Sequence, residues 1–262
     1  MTQRGRRPAF DSQSDYWTFA SSVKLDARFV HAREVTRILR TIVATAKNRV
    51  ALLPEGTILF RAQVGGHKEP AFRLDRDGRV TGPFHEDRMK PINRQAKEGR
   101  ANPAGMAYLY CASNPETALA EVRPWIGAWV SIGKFRLRRT VKLVDCTVGR
   151  QKWKIHPKEP SPAERAKCVW RDINDAFSRP VSLEDSAIDY VPTQVLGDLF
   201  KRRGYDGVVY RSSCSRGRNL ILFNSFSAEM ERSNLCRVEG LKYRYVVTGA
   251  VYTPPADTKG SV

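Results

Sequence analysis

The sequence predicts an α+β fold: a single domain around a central mixed or antiparallel sheet, with an N-terminal amphipathic helix ahead of it. Three observations predict this. Short apolar and aromatic runs of strand type outnumber helical patterns along the 262 residues. The helical patterns are inserted among those runs rather than alternating with them, which argues against a doubly wound sheet. One long 3.6-residue period stands near the N-terminus. An apolar content of 41% is enough to bury one sizeable core. The expected division is an arm and helix over 1–49, the main domain over 50–253 and a flexible tail over 254–262.

Residues 1–24 carry no sustained period and read as a loose lead-in. From Asp26 to Asn48, Val35, Ile38, Leu39, Ile42, Val43 and Ala46 share one face, while Arg33, Arg37, Arg40 and Lys47 line the other. That is an amphipathic helix packing on a core, and ordinary docking accounts for its asymmetry without a membrane. Leu53 to Gly56 is a turn, and Thr57 to Val64 (TILFRAQV) a strand interrupted by Arg61. Residues 65–98 are polar and punctuated by Gly and Pro, an irregular loop long enough to be functional or mobile.

Gly99 to Pro124 (GRANPAGMAYLYCASNPETALAEVRP) crowds backbone devices into a defined order. Asn102, Pro103 and Gly105 make a turn, and Ala107 to Ala112 is a strand. Ser113 or Asn114 offers an N-cap, Pro115 suits the first helical position, and Thr117 to Val122 winds a short helix that Pro124 stops. Strands follow at Ala128–Arg136 and Thr140–Cys146. Ser161 to Glu164 is a capping box opening a helix to about Phe177. A further helix spans Pro192–Arg203, with Gly204 as its stop. Gly207–Tyr210 and Asn219–Phe223 are apolar strands around the polar loop RSSCSRGR, and Leu241–Gly249 is a last strand.

The net charge of +18 attracts polyanions or acidic proteins. Its carriers are spread over Arg4, Arg6 and Arg7, the first helix, and segments 133–142, 150–154 and 201–203, which suits a solvated basic surface more than one groove. Five scattered cysteines without CxxC spacing predict reduced thiols in a cytoplasmic protein. The N-terminus lacks the apolar core of a signal peptide, and no apolar run is long enough to span a membrane. Four histidines show no metal-ligand spacing, so no metal is expected. The usual nucleotide-binding and hydrolase motifs are absent.

What remains is a polar set at strand and helix ends: Arg61, Arg100, Tyr110, Glu121, Ser212, Ser213 and Asn219. Each has two readings. Glu121 sits at a helix's last turn, where the dipole disfavours a carboxylate; it either pairs in solvent with Arg123 or is aimed into a cleft. Arg61 either snorkels or pairs with a fixed anion. Tyr110 is a sheet-packing residue or a ligand platform. Ser212 is a turn residue or a ligand.

The order of these residues, in LFRAQ, then GRANPAGMAYLYCASNPETALAEV, then DGVVYRSSCSRGRNLILF, resembles the RES-domain family, named for its arginine, glutamate and serine. The resemblance covers about residues 50–225. It implies an ADP-ribosyltransferase-like fold and a toxin of a bacterial toxin–antitoxin pair that degrades NAD, with NAD as substrate and no bound cofactor. It places Arg61, Tyr110, Glu121 and either Ser212 or Ser213 at functional positions; Arg100 and Asn219, from the polar set, are expected to bind NAD with them. Ala101 stands where the family carries an aromatic, a departure expected to alter packing more than chemistry.

The residue types suit that chemistry. Breaking the nicotinamide–ribose bond builds oxocarbenium charge that one carboxylate, Glu121, can stabilise, or it can hold the 2′-hydroxyl. Nicotinamide leaves as a neutral base, so no general acid is obligatory. Arg61 would fork onto a phosphate, Tyr110 would face the nicotinamide, and a serine would complete the hydrogen bonding. The acceptor is water, inorganic phosphate or a protein side chain, giving a glycohydrolase, a phosphorylase or an ADP-ribosyltransferase. Expected partners are NAD and a cognate antitoxin whose acidic surface meets Arg136, Arg138 and Arg139. The competing reading is a non-enzymatic, basic nucleic-acid-binding module resting on the charge; a carboxylate at the centre of the polar set disfavours it.

Overall fold

The computed structural model describes residues 9–68, 81–149, 159–179 and 187–242. In chain order the helices and strands are α1 (Asp15–Leu25), α2 (Arg33–Ala46), β1 (Val50–Leu53), β2 (Ile58–Val64), β3 (His67–Lys68), β4 (Thr81–Gly82), α3 (Glu86–Met89), β5 (Leu109–Ala112), α4 (Pro115–Glu121), β6 (Trp129–Leu137), β7 (Val141–Asp145), α5 (Pro162–Ser178), α6 (Val191–Arg202), β8 (Gly207–Arg211), β9 (Arg218–Leu222) and β10 (Ala228–Arg237). Single 3-10 turns stand at Ala187–Tyr190 and Ser225–Ser227. No helix is long and apolar enough to cross a membrane among the described residues.

Eight strands form one sheet in the order β1-β7-β8-β9-β5-β2-β6-β10, and β3 pairs with β4 apart from it. Only β7 and β8 run parallel, so the sheet is mixed. The central strands are apolar on both faces, as strands covered on two sides must be. Val208, Tyr210 and Ile221 point to a core shared with α1, α2, α5 and α6. Their neighbours Val209, Leu220 and Leu222 point to a second core with Leu59, Leu109, Phe135 and Met89. A third, small cluster of Ala62, Ala112, Ala118 and Val130 seats α4.

The expected strands and helices from Ile58 to Leu222 appear within one to three residues of their predicted ends. Arg61 lies in β2, Tyr110 in β5, Glu121 at the end of α4 and Asn219 in β9. Asn114, not Ser113, caps α4: its side-chain oxygen accepts from the Thr117 amide at 2.8 Å. The Glu164 carboxylate reaches back to the Ser161 amide at 3.2 Å, closing the capping box. Gly204 stops α6 at a φ of +77°.

Four expectations differ. Residues 15–25, read as part of a lead-in, form α1, with Tyr16, Phe19, Ala20 and Val23 buried at helical spacing. Trp17 on the outer face of that helix is 62% exposed and flattens the apolar asymmetry that would have announced it. The amphipathic helix begins at Arg33 rather than Asp26, and Val35, Ile38, Ile42 and Ala46 are its buried stripe. The polar decapeptide AEMERSNLCR forms β10, an edge strand held by its ladder with β6 rather than by burial. β1 is four residues long and was hidden against the turn that follows it. Residues 243–249 of the expected last strand lie outside the described residues, as do the arginines at 4, 6 and 7, the basic segment 150–154, part of the loop 65–98 and the tail 254–262.

β10 also changes the reading of the basic segment beside it. Glu231 pairs with Lys134 at 2.8 Å and with Arg136. Glu229 lies 3.6 Å from Arg138, and Asp206 is 2.5 Å from Arg139. Pairs this exposed add little stability, yet they neutralise much of what a linear reading takes for a free positive stripe.

Gly207 gives a direct test of the sheet. A Cβ there would stand 1.9 Å from the Ile221 carbonyl oxygen and 3.0 Å from Leu143 Cδ2. Backbone in the middle of a sheet cannot yield as a flexible side chain can. Gly207→Ala is expected to cost about 3 kcal/mol or more, read as a lower urea midpoint; an unchanged midpoint would contradict the close β8–β9 packing.

Candidate active site

β2 and β5 are sheet neighbours joined at a single residue pair, Phe60 and Ala112. Beyond it the strands part, and a cleft of about 450 Å³ opens along the gap. Arg61, Tyr110, Glu121, Tyr210 and Asn219 all line it.

Arg61 lies deep in the cleft floor. Its Nη1 donates to the Tyr110 backbone carbonyl at 3.1 Å, while Nε has no hydrogen-bond partner. No carboxylate pairs with it among the described residues. The acidic groups that act on it are Cys111 and Tyr110, and burial pushes the Cys111 thiol up to about 12 and the Tyr110 hydroxyl well above its ordinary value. Both stay neutral. Desolvation lowers the Arg61 pKa from its ordinary value, with Cys111 and Tyr110 opposing the shift and Arg88 adding to it. A buried guanidinium with no internal counter-charge is costly unless an anion arrives to balance it.

The Tyr110 hydroxyl donates to Asn102 Oδ1 at 2.6 Å and accepts from the Ala101 amide at 3.0 Å. The Asn102 Nδ2 donates to the carbonyls of Lys97, Pro103 and Met106, so one amide side chain organises the whole turn. Gln194 of α6 holds the same turn through the carbonyls of Gly99 and Asn102. Gly99 has to be glycine: a Cβ would lie 2.7 Å from the Tyr110 hydroxyl. The strand therefore presents its tyrosine ring in one fixed orientation.

Glu121 is positioned from two elements. Its Oε1 accepts from Ser212 Oγ at 2.6 Å and from Asn219 Nδ2 at 2.7 Å. Its Oε2 accepts no hydrogen bond among the described residues, which leaves one carboxylate oxygen open to the cleft. The loop after β8 is tied to α4 at the other end of the helix as well. Thr117 Oγ1 lies 2.9 Å from Ser215 Oγ, and a Cβ on Gly217 would meet Thr117 Oγ1 at 2.0 Å. The two donors replace the stabilisation that the helix C-terminus denies to a carboxylate.

The structure brings Ser212 to Glu121 and leaves Ser213 away from it. Ser212 Oγ also accepts from the amides of Cys214 and Ser215, at 3.1 and 3.0 Å, so it orders the loop while donating its single proton to the glutamate. Ser213 Oγ lies 3.8 Å from Cys214 Sγ. Arg100 also lines the cleft, but its guanidinium donates to the carbonyls of Ala176 and Arg179, where it caps the negative end of α5. Tyr210 was not singled out from the sequence. It is the cross-strand partner of Asn219, interacts with that side chain, and burial pushes its hydroxyl well above the ordinary value. An apolar strand ending in Tyr looks like any core strand, and only the register shows which residue it faces.

A RES domain family model matches residues 70–244. No curated protein matches the chain. Among solved structures, the crystal structure of the M. tuberculosis MbcT–MbcA toxin–antitoxin complex aligns at 13% identity and a TM-score of 0.42, over 75% of this chain and 92% of that one.

Proposed function

The chain belongs to the RES-domain family, and from that premise we propose that it is a toxin enzyme that cleaves the nicotinamide–ribose bond of NAD. One observation carries the reading: a carboxylate held by two side-chain donors and a desolvated guanidinium with no counter-charge among the described residues line the same cleft.

In this reading Arg61 takes a phosphate oxygen with the part of its guanidinium that the Tyr110 carbonyl leaves free. The fixed Tyr110 ring offers a face to the nicotinamide. Glu121 presents its open Oε2 to the ribose, where it holds the 2′-hydroxyl or balances the charge that grows on the sugar as the bond breaks. Ser212 and Asn219 set that carboxylate in place before substrate arrives, so little reorganisation is needed at the transition state. Nicotinamide departs as a neutral base, and no group in the cleft has to protonate it.

Water or inorganic phosphate completes the reaction, giving ADP-ribose or ADP-ribose 1″-phosphate. Incubation with NAD in the presence and absence of phosphate, followed by identification of products, tests the proposal. Release of nicotinamide with either product supports it; intact NAD in both arms overturns it. Appearance of ADP-ribose on a macromolecule would instead assign a transferase. We further propose that a cognate antitoxin holds the enzyme silent. Arg136, Arg138 and Arg139 are already paired within the chain, so that partner is not expected to rely on them for its charge complementarity.

The serines separate cleanly. Ser212→Ala removes a donor to a charged acceptor and is expected to lower kcat/KM roughly tenfold or more. Ser213→Ala should stay within about twofold of the parent, a change too small to count as a lost hydrogen bond. Steady-state NAD cleavage by the two variants checks this, and equal losses would remove Ser212 from its role.

A further inference from the structure

A second cleft, of about 400 Å³, adjoins the first: Arg100 and Tyr190 line both. Its lining comes from α1, from the end of α5, and from Ser212 and Ser213. The serine loop thus serves both: Ser212 bonds Glu121, and Ser212 and Ser213 line this second space. The volume lies near the lower end for a ligand site and suits about half of a dinucleotide rather than all of one.

The α1 residues of that lining carry an aromatic face. Trp17 is 62% exposed, yet its indole interacts with the Asp172 carboxylate, which is 7% exposed and held by Arg171 at 2.7 and 2.9 Å. Tyr16 packs edge-on against the same indole, with ring centroids 5.2 Å apart. An exposed tryptophan held from behind in this way presents a pre-oriented surface with little rotamer freedom left to lose. Between the clefts, Arg100 places its positive charge where α5 would otherwise turn its negative end toward a crossing anion.

We propose that the second cleft is the adenosine subsite, with Trp17 as the stacking surface for the base and the pyrophosphate crossing at Arg100. This rests on the NAD-cleaving reading and adds to it: α1, through Trp17, gives the second cleft a preference for a dinucleotide over its nicotinamide half. Stacking on an aromatic face tolerates different bases, and the α1 face therefore sets whether an adenosine half is needed more than which base it bears.

Titration calorimetry with AMP, nicotinamide mononucleotide and NAD, each on the full chain, tests it. Trp17→Ala is expected to weaken AMP and NAD roughly tenfold, the size of one base–aromatic stack. The same variant should hold nicotinamide mononucleotide at parental affinity, and Trp17→Phe should restore most of the AMP binding. Equal losses for AMP and nicotinamide mononucleotide, or no loss for either, would overturn the assignment while leaving NAD cleavage standing. If the parent neither binds nor cleaves NAD, the underlying reading falls first and this one with it.

Discussion

Glu121→Gln is expected to lower NAD turnover by at least two orders of magnitude while the protein stays folded. The substitution keeps the shape of the side chain. Its amide oxygen can still accept from Ser212 Oγ and Asn219 Nδ2, which now bond Oε1 at 2.6 and 2.7 Å. What it removes is the negative charge and the open acceptor facing the cleft. A preorganised electrostatic group of this kind contributes about 3–4 kcal/mol at the transition state, and each 1.4 kcal/mol is about a factor of ten in rate. The loss should fall on kcat more than on KM, because the charge on the sugar exists only as the bond breaks. Single-turnover kinetics with the folded variant decide it: a parental rate would exclude Glu121 from the chemistry.

Arg61→Ala should weaken NAD binding by about 1.5–3 kcal/mol, the worth of a hydrogen bond to a charged group, or roughly tenfold to more than a hundredfold in Kd. Its effect on stability has the opposite expectation. The guanidinium is desolvated and has no carboxylate partner among the described residues, and its neighbours Cys111 and Tyr110 are held neutral by burial. Removing an uncompensated buried charge is neutral or stabilising, offset here by one hydrogen bond to the Tyr110 carbonyl. Binding lost while the unfolding midpoint holds or rises is the mark of a residue kept for its ligand. Arg61→Lys should recover little, since one ammonium cannot both bond that carbonyl and grip a phosphate bidentately. Unchanged NAD affinity in a well-folded Arg61→Ala protein would refute the assignment, and a large fall in stability would reassign the arginine to the scaffold.

How much of this was legible before folding differs by residue. The order Arg61, Tyr110, Glu121, serine, Asn219 stands in the linear chain, and so does the setting of Arg61 within an apolar strand and of the others near the ends of apolar segments. The cap, the proline and the short helix that carry Glu121 were likewise readable, because Asn114, Pro115 and Thr117 act within one turn. α1 and β10 were not. α1 carries its tryptophan outward, and β10 is polar and stands at the sheet edge, so neither leaves a clean hydrophobic period.

The sequence by itself determined an α+β chain, its apolar strands, the caps and stops of its helices, and the cast of polar residues. These depend on interactions over a few positions, where spacing alone says which atoms meet. Tertiary structure alone decided that β2 and β5 part after one residue pair to open the cleft, that Ser212 rather than Ser213 reaches Glu121, and that Arg100 turns to the end of α5. It also brought α1 and the serine loop to the lining of one second cleft. Each of these joins groups that lie tens of residues or more apart along the chain, and a side chain has several rotamers until packing leaves it one. Sheet register and helix docking supply that choice, and no local pattern in the sequence encodes it.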